Sequence, residues 1–202
     1  MSRRNSKTDT AESITPEIRA DIRTRINEYL SDDDLKRYFP DNKDPNPIIK
    51  YNELAGLKNI FQLLPHDRSF KIILIERRPN LGHWVCLTRR GDTIFYLDSY
   101  SNQPDGQLRH ISSFWRKMLG QDEKLLTKLL KPKRLNRFKL KCNKNRLQSL
   151  ASQSGTCGRW CILWITMCLD FKFDLDEFED FIDLWKDKLN LSRDELVTHW
   201  VR

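Results

Sequence analysis

No stretch of this 202-residue chain is long and apolar enough to cross a bilayer: its longest uncharged apolar run, 161 to 169, falls far short of the roughly 20 residues a spanning helix needs. The opening MSRRNSKTDTAES has the positive charge of a secretory signal but lacks the apolar segment that should follow it. It reads as a disordered basic tail over residues 1–13, ahead of a single domain from 14 to 202. A membrane partner and secretion are therefore not expected. There is also no paired CxxC motif, and the five cysteines are an odd number, so neither a zinc ribbon nor a disulfide framework fits; reduced, free thiols do. No metal or prosthetic group is implied. No internal repeat or low-complexity block interrupts the chain.

Acid is missing where base is dense. Residues 131–146, KPKRLNRFKLKCNKNR, hold eight Lys or Arg and no Asp or Glu. That makes Lys131, Lys133, Arg134, Arg137, Lys139, Lys141, Lys144 and Arg146 the candidate contacts for a polyanion such as DNA. The reverse holds over 174–187, with seven acids and one Lys, which reads as a solvated helix face.

What is present alternates between two periods. Thr15 and Pro16 open a helix carrying Ile18, Ile22, Ile26 and Tyr29, SDDDLKRYF forms a short second one, and 51–64 reads as helical up to Pro65. Strands follow at 70–76, 83–88 and 93–99, joined by RRPNLG and RRGD, and the apolar residues on both faces of the last two predict a sheet covered on both sides. Helical spacing returns over 107–130, FKLKC at 138–142 is a further strand, and helices close the sequence at 157–170, 175–189 and 192–201. The fold class is α+β, a central mixed sheet with helices on both sides.

Cys157 stands where a polar, glycine-containing loop becomes an apolar helix, SQSGTCGRWCILWITMCLD over 152–170. A thiol acts as a nucleophile only as thiolate, which a helix amino terminus and a nearby imidazolium both stabilise. Of the four histidines, His83 opens a strand. If the RRGD loop is centred between residues 90 and 91, the antiparallel partner of residue i is 181 minus i, and Asp98 lies directly opposite His83 on one face. A carboxylate there would fix the imidazole's tautomer, leaving its other nitrogen for the thiol. Gly158 would let a backbone come close, and Trp84 would shield the His and Asp pair from water. The Cys157 amide and a glutamine side chain, Gln148 or alternatively Gln153, would serve as oxyanion donors.

These motifs, GHW at 82–84, YLDSY at 96–100 and Q…TCGRWC over 148–161 ahead of an apolar helix, resemble the clan of cysteine proteases that includes the adenovirus maturation protease (adenain) and the ubiquitin-like-protein proteases. TCGRWC is most similar to versions carried by virophages, Polinton-like elements and large DNA viruses. The resemblance spans 70–170 and implies a papain-like, adenain-type cysteine endopeptidase in which His83 is the base, Asp98 orients it and Cys157 attacks. It further implies cleavage of capsid or other structural precursors after small residues during virion maturation, inside the infected cell or the particle, with DNA or an activating peptide as candidate stimulators. In the family the glutamine stands six or seven residues before the cysteine; here that window holds Leu150 and Ala151, so the loop is longer or the second donor differs. A deconjugating isopeptidase for a ubiquitin-like protein and a catalytically degenerate DNA-binding virion component are the other classes compatible with the sequence.

Overall fold

A computed structural model of the chain describes residues 14–42, 44–135, 137–150 and 154–202. The tail read for 1–13 and the alternative donor Gln153 lie outside the described residues. The centre is a five-stranded mixed sheet in the order β1 (Ile48–Lys50), β2 (Phe70–Arg78), β3 (Leu81–Arg90), β4 (Thr93–Leu97), β5 (Lys139–Cys142). The inner pairs β2/β3 and β3/β4 are antiparallel, while the outer strands β1 and β5 run parallel to their neighbours.

Both central hairpins have two-residue turns. Arg78 pairs with Leu81 across Pro79 and Asn80, and Arg90 with Thr93 across Gly91 and Asp92. Asn80 and Gly91 take left-handed backbone angles, φ +60 and +58, which Asn tolerates and Gly adopts freely. The second turn corrects the expected register. Cys86 pairs with Leu97, so partners sum to 183 rather than 181, and Asp98 is not directly opposite His83. The error is two residues, an even number, and a strand alternates faces with a period of two, so the two residues still share a face.

The alternation of β2, β3 and β4 sorts their side chains into two cores. Ile72, Leu74, Trp84, Cys86, Phe95 and Leu97 face a helical layer made of α6 (Cys157–Leu169), α7 (Leu175–Leu189) and α8 (Arg193–Trp200). Ile73, Ile75, Val85, Leu87, Ile94 and Tyr96 face the other side, covered by two 3₁₀ turns at Tyr51–Gly56 and Ile60–Gln62 and by helix α4 (Leu125–Leu129). The segments 51–64 and 107–130 are therefore strings of short turns rather than the helices their spacing predicts. Gly56 and Asn59 divide the first; Gly120, at φ +65, divides the second between α3 (Ser113–Met118) and α4. Two shorter helices precede the sheet, α1 (Pro16–Arg25), capped by Thr15, and α2 (Asp32–Arg37), capped by Ser31 in a reciprocal capping box. A one-turn α5 (Pro132–Leu135) leads into β5.

Helix α6 has almost no solvent-facing side: twelve of its thirteen residues are buried. Trp164, at its centre, makes edge contacts with Phe95 of the sheet (5.4 Å) and Phe178 of α7 (5.3 Å), and its indole donates to the Thr88 hydroxyl at 3.1 Å. The element is thus fixed from three directions, as its near-continuous apolar sequence requires. Trp164→Ala should destabilise the fold by about 3–5 kcal/mol, read as a lowered urea midpoint with an unchanged m-value.

Candidate active site

Each of the three expected residues is delivered by a different element. Cys157 is the first residue of α6, whose first-turn amides have no helical carbonyl to bond. His83 is the third residue of β3, and Asp98 follows the last residue of β4. By alternation His83 shares the sheet face of Val85 and Leu87, the face turned away from α6. Strand β4 leaves the ladder after Leu97, opposite Cys86, short of the level of His83. Around that open end the thiol of Cys157 and the His83 ring hydrogen-bond each other.

His83 Nε2 lies 2.8 Å from Asp98 Oδ1. Asp98 is fully buried and further accepts from the Tyr100 amide (2.8 Å), Asn102 Nδ2 (3.1 Å) and Gln107 Nε2 (3.1 Å). Its backbone is held in turn by Asn143, whose Oδ1 accepts from the Asp98 amide and whose Nδ2 donates to the Asp98 carbonyl, both at 2.9 Å. The Tyr100 ring stacks on His83 with centroids 4.8 Å apart. Neither Asn102 nor Gln107 was among the expected site residues. The signal in the sequence was weak: an amide-rich loop, SNQPDGQ, directly after the strand that ends at the carboxylate.

These contacts set the protonation states. Burial works against a charged His83, but the Asp98 charge and hydrogen bond, joined by Cys157, raise its pKa well above that of a free imidazole. Burial alone would raise the Asp98 carboxyl; the His83 charge and hydrogen bond, the Tyr100 amide and Gln107 hold it below its ordinary value. Burial would likewise raise the Cys157 thiol, yet the His83 hydrogen bond and charge, with the amides of Trp84 and Gly158, bring it below an ordinary thiol. Both shifts favour the thiolate and imidazolium forms of the pair. Three other thiols go the opposite way: burial pushes Cys161 and Cys168 up, and partial burial pushes Cys142 to about 11.

Gly158 and Trp84 adjoin the thiol as expected. A side chain at Gly158 would meet Leu30, Leu35 and Trp84, each at 3.3 Å, so glycine is what lets the indole close over the helix start. The Trp84 indole, buried, donates to the Leu30 carbonyl at 3.1 Å. Gln148 lines the same cleft. Its Oε1 accepts from the Ser99 hydroxyl (2.7 Å), and its Nε2 donates to the Ser154 carbonyl (2.7 Å) and, at 3.4 Å, to the Ser154 hydroxyl.

One buried charge was overlooked, although an arginine in the first turn of an apolar helix should have drawn notice. Arg159 is 1% exposed. Its guanidinium donates to the Glu28 carbonyl (2.6 Å) and the Val201 carbonyl (3.1 Å) and lies 3.8 Å from the Glu28 carboxylate. It thereby ties the segment between α1 and α2, and the end of α8, to the helix start that carries Cys157.

The basic run does not form one surface. Lys141 and Lys144 pair with Asp174 and Asp176 of the acidic run at 3.1 and 2.7 Å, Arg134 donates to the Lys58 carbonyl, and Arg137 lies over the Phe138 ring. Arg146 lines the Cys157 cleft. Lys131, Lys133 and Lys139 are exposed. The acids 174–187, read as a solvated face, are thus partly a counterpart to the basic run.

No established protein-family profile matches the chain. A protein described as uncharacterized protein V9 of Sputnik virophage is 34% identical over 153 residues, which cover 75% of this chain and 83% of V9. The chain belongs to the V9 family. Among solved structures, this V9-family protein is similar to the C-terminal Ulp1 protease domain in complex with Smt3, the yeast ortholog of SUMO (12% identity, 96% of this chain and 97% of that chain, TM-score 0.40). It is also similar to the SUMO protease Ulp1 with its catalytic cysteine oxidised to a sulfenic acid (14% identity, 92% and 91%, TM-score 0.40).

The lowered thiol makes a prediction with a definite sign. Alkylation by iodoacetamide follows the thiolate fraction, so the Cys157 rate should reach its plateau below the ordinary thiol pKa of ~8.5. In His83→Ala, where burial is no longer offset by the imidazolium, the profile should move up by about one pH unit or more. Peptide mass mapping of the labelled protein reads both, and superimposable profiles would remove His83 as the cause.

Proposed function

We propose that this V9-family protein is a cysteine endopeptidase that processes capsid or other structural precursors during virion maturation. The observation that carries the reading is the buried Cys157 thiol beside His83 at a helix amino terminus, with the imidazole bonded at 2.8 Å to a carboxylate that three further donors hold in place.

In this reading the Cys157 thiolate attacks the scissile carbonyl carbon. The tetrahedral oxyanion is bonded by the Cys157 amide and by the Gln148 side-chain amide, which exchanges its long contact with the Ser154 hydroxyl for the oxyanion. His83, which already holds the thiol's proton, gives it to the leaving amine as the C–N bond breaks and a thioester forms. It then takes a proton from water, whose oxygen attacks the thioester, and keeps that proton as the sulfur departs as thiolate, which restores the starting pair. Asp98 keeps the ring in register throughout, and Tyr100 and Trp84 close the two sides against solvent. Substrate identity as a virion precursor is supported by the virophage relative and by the motif resemblance at 82–84, 96–100 and 148–161. If DNA stimulates the enzyme, the exposed Lys131, Lys133 and Lys139 are where it would touch.

The test is co-expression with the capsid polypeptides of the virus that encodes the chain, reading new termini by mass spectrometry. Cleavage should be abolished by Cys157→Ala, reduced on the order of 10²–10⁴-fold by Asp98→Asn and about 10²-fold by Gln148→Ala. Full turnover by Cys157→Ala would sink the assignment. Release of a di-glycine-linked ubiquitin-like protein, with capsid polypeptides untouched, would replace the endopeptidase by an isopeptidase acting through the same residues.

A further inference from the structure

The cleft above Cys157 encloses about 430 Å³, and three arginines line it. Arg77, Arg109, His110 and Arg146 line it beside His83 and Cys157, and among the described residues no Asp or Glu does. All four are exposed. Among the described residues the guanidinium groups of Arg77, Arg109 and Arg146 make no ion pair with a carboxylate, whereas Arg19, Arg25, Arg37, Arg68, Arg159 and Arg193 each do.

The carboxylates next to this wall are already engaged. Asp98 is bonded by His83 and its donors; Asp194, buried, accepts from the Ser149 amide and the Thr156 hydroxyl. Glu28, beside Tyr29 of the wall, pairs with Arg25 and Arg159, and the buried Glu76, beside Arg77, pairs with Lys50. Neutral donors leave the Asp194 charge in place, so the field of the cleft is set by three guanidinium groups against that one carboxylate.

The backbone also goes out of its way to place one of these charges. The register of β2 on β3 shifts between Glu76 and Arg78, which makes Arg77 the extra residue of a bulge two positions from Ile75, the partner of His83. A bulge re-aims a side chain that regular alternation would send elsewhere. It needs close contact here: a side chain on Gly82, opposite Glu76, would lie 2.2 Å from the Ile75 carbonyl oxygen. Arg109 is fixed differently, by a 2.7 Å hydrogen bond to Asn102 Oδ1, the residue whose other end holds Asp98.

We propose that the cleft selects polypeptide segments carrying Asp or Glu beside the bond attacked, with Arg77 and Arg146 as specificity residues. This rests on Cys157 being the nucleophile. Three cations around a partly enclosed site focus the field where substrate enters, favour an acidic segment and disfavour a basic one.

The experiment uses two peptidyl chloromethyl ketones that differ at one position, acetyl-Glu-Ala-Gly and acetyl-Lys-Ala-Gly, with iodoacetamide as an uncharged monitor of the thiol. In each case the thiolate displaces the halide, so no further reactant is needed. The Glu probe should inactivate the native protein roughly tenfold faster than the Lys probe at low salt, and the ratio should shrink in 0.5 M salt. In the double variant Arg77→Gln with Arg146→Gln, the ratio should fall towards one while the iodoacetamide rate is retained. Equal rates with the two peptides, a ratio unmoved in the double variant, or labelling by iodoacetamide but by neither peptide would each overturn the proposal. A Cys157 that iodoacetamide itself fails to label would overturn the nucleophile, and the proposal with it.

Discussion

Buried charge in this fold is either paired or held by hydrogen bonds, and the grouping of His83 with Asp98 and Cys157 governs the architecture around it. A buried imidazolium between two anions satisfies itself electrostatically, but only at hydrogen-bond distances. Three elements remote in sequence must therefore arrive within a few tenths of an ångström of one another. The central sheet supplies two of them on strands locked together by two-residue hairpins. The third is carried on a helix gripped by apolar side chains from sheet, α7 and α8. Much of the remaining chain serves as support: Asn143 pins the Asp98 backbone, Asn102 and Gln107 saturate its carboxylate, and Gly158 admits the Trp84 indole.

How much of this could be read in advance depended on the range of the forces involved. The capping residues Thr15, Ser31, Asp174 and Ser192 and the apolar run after Cys157 are local signals, and the helices they announce are present. β1 was missed because three residues, IIK, carry no periodicity of their own; they become a strand by pairing with Ile72, Ile73 and Leu74, more than 20 residues on. The segments 51–64 and 107–130 have helical spacing that tertiary packing overrides with single turns, since each needs to lay several short apolar patches on a twisted sheet face. The constellation itself was legible because side-chain alternation forgives an even error. Counting the hairpin turn wrongly by two residues left Asp98 on the face of His83, whereas an error of one would have buried it in the opposite core.

The partners of these residues were not legible, for a related reason. Asn102, Gln107 and Asn143 are ordinary polar loop residues in sequence, and nothing local distinguishes an amide that holds a buried carboxylate from one that faces water. Gln148 is an intermediate case: its residue type suggested a donor, but its distance from Cys157 did not match the family's. The structure places it on the cleft wall all the same, fixed between Ser99 and Ser154. The oppositely charged runs teach a third lesson. Read separately, one looked like a polyanion site and the other like a solvated face, yet Lys141 and Lys144 meet Asp174 and Asp176 across the surface.

Arg159 adds a matter of timing. The guanidinium that braces the helix start bonds the carbonyl of Glu28, made early, and that of Val201, made long after Cys157 itself. A nascent chain can hold His83, Asp98 and Cys157 outside the ribosome and still lack the last carbonyl that this arginine requires. Until α8 docks, Arg159 is a buried cation short of an acceptor, a state the fold disfavours. The bracing of Cys157 is thus completed only once α8 has been made and has docked, a built-in delay between making the sulfur and stabilising its setting.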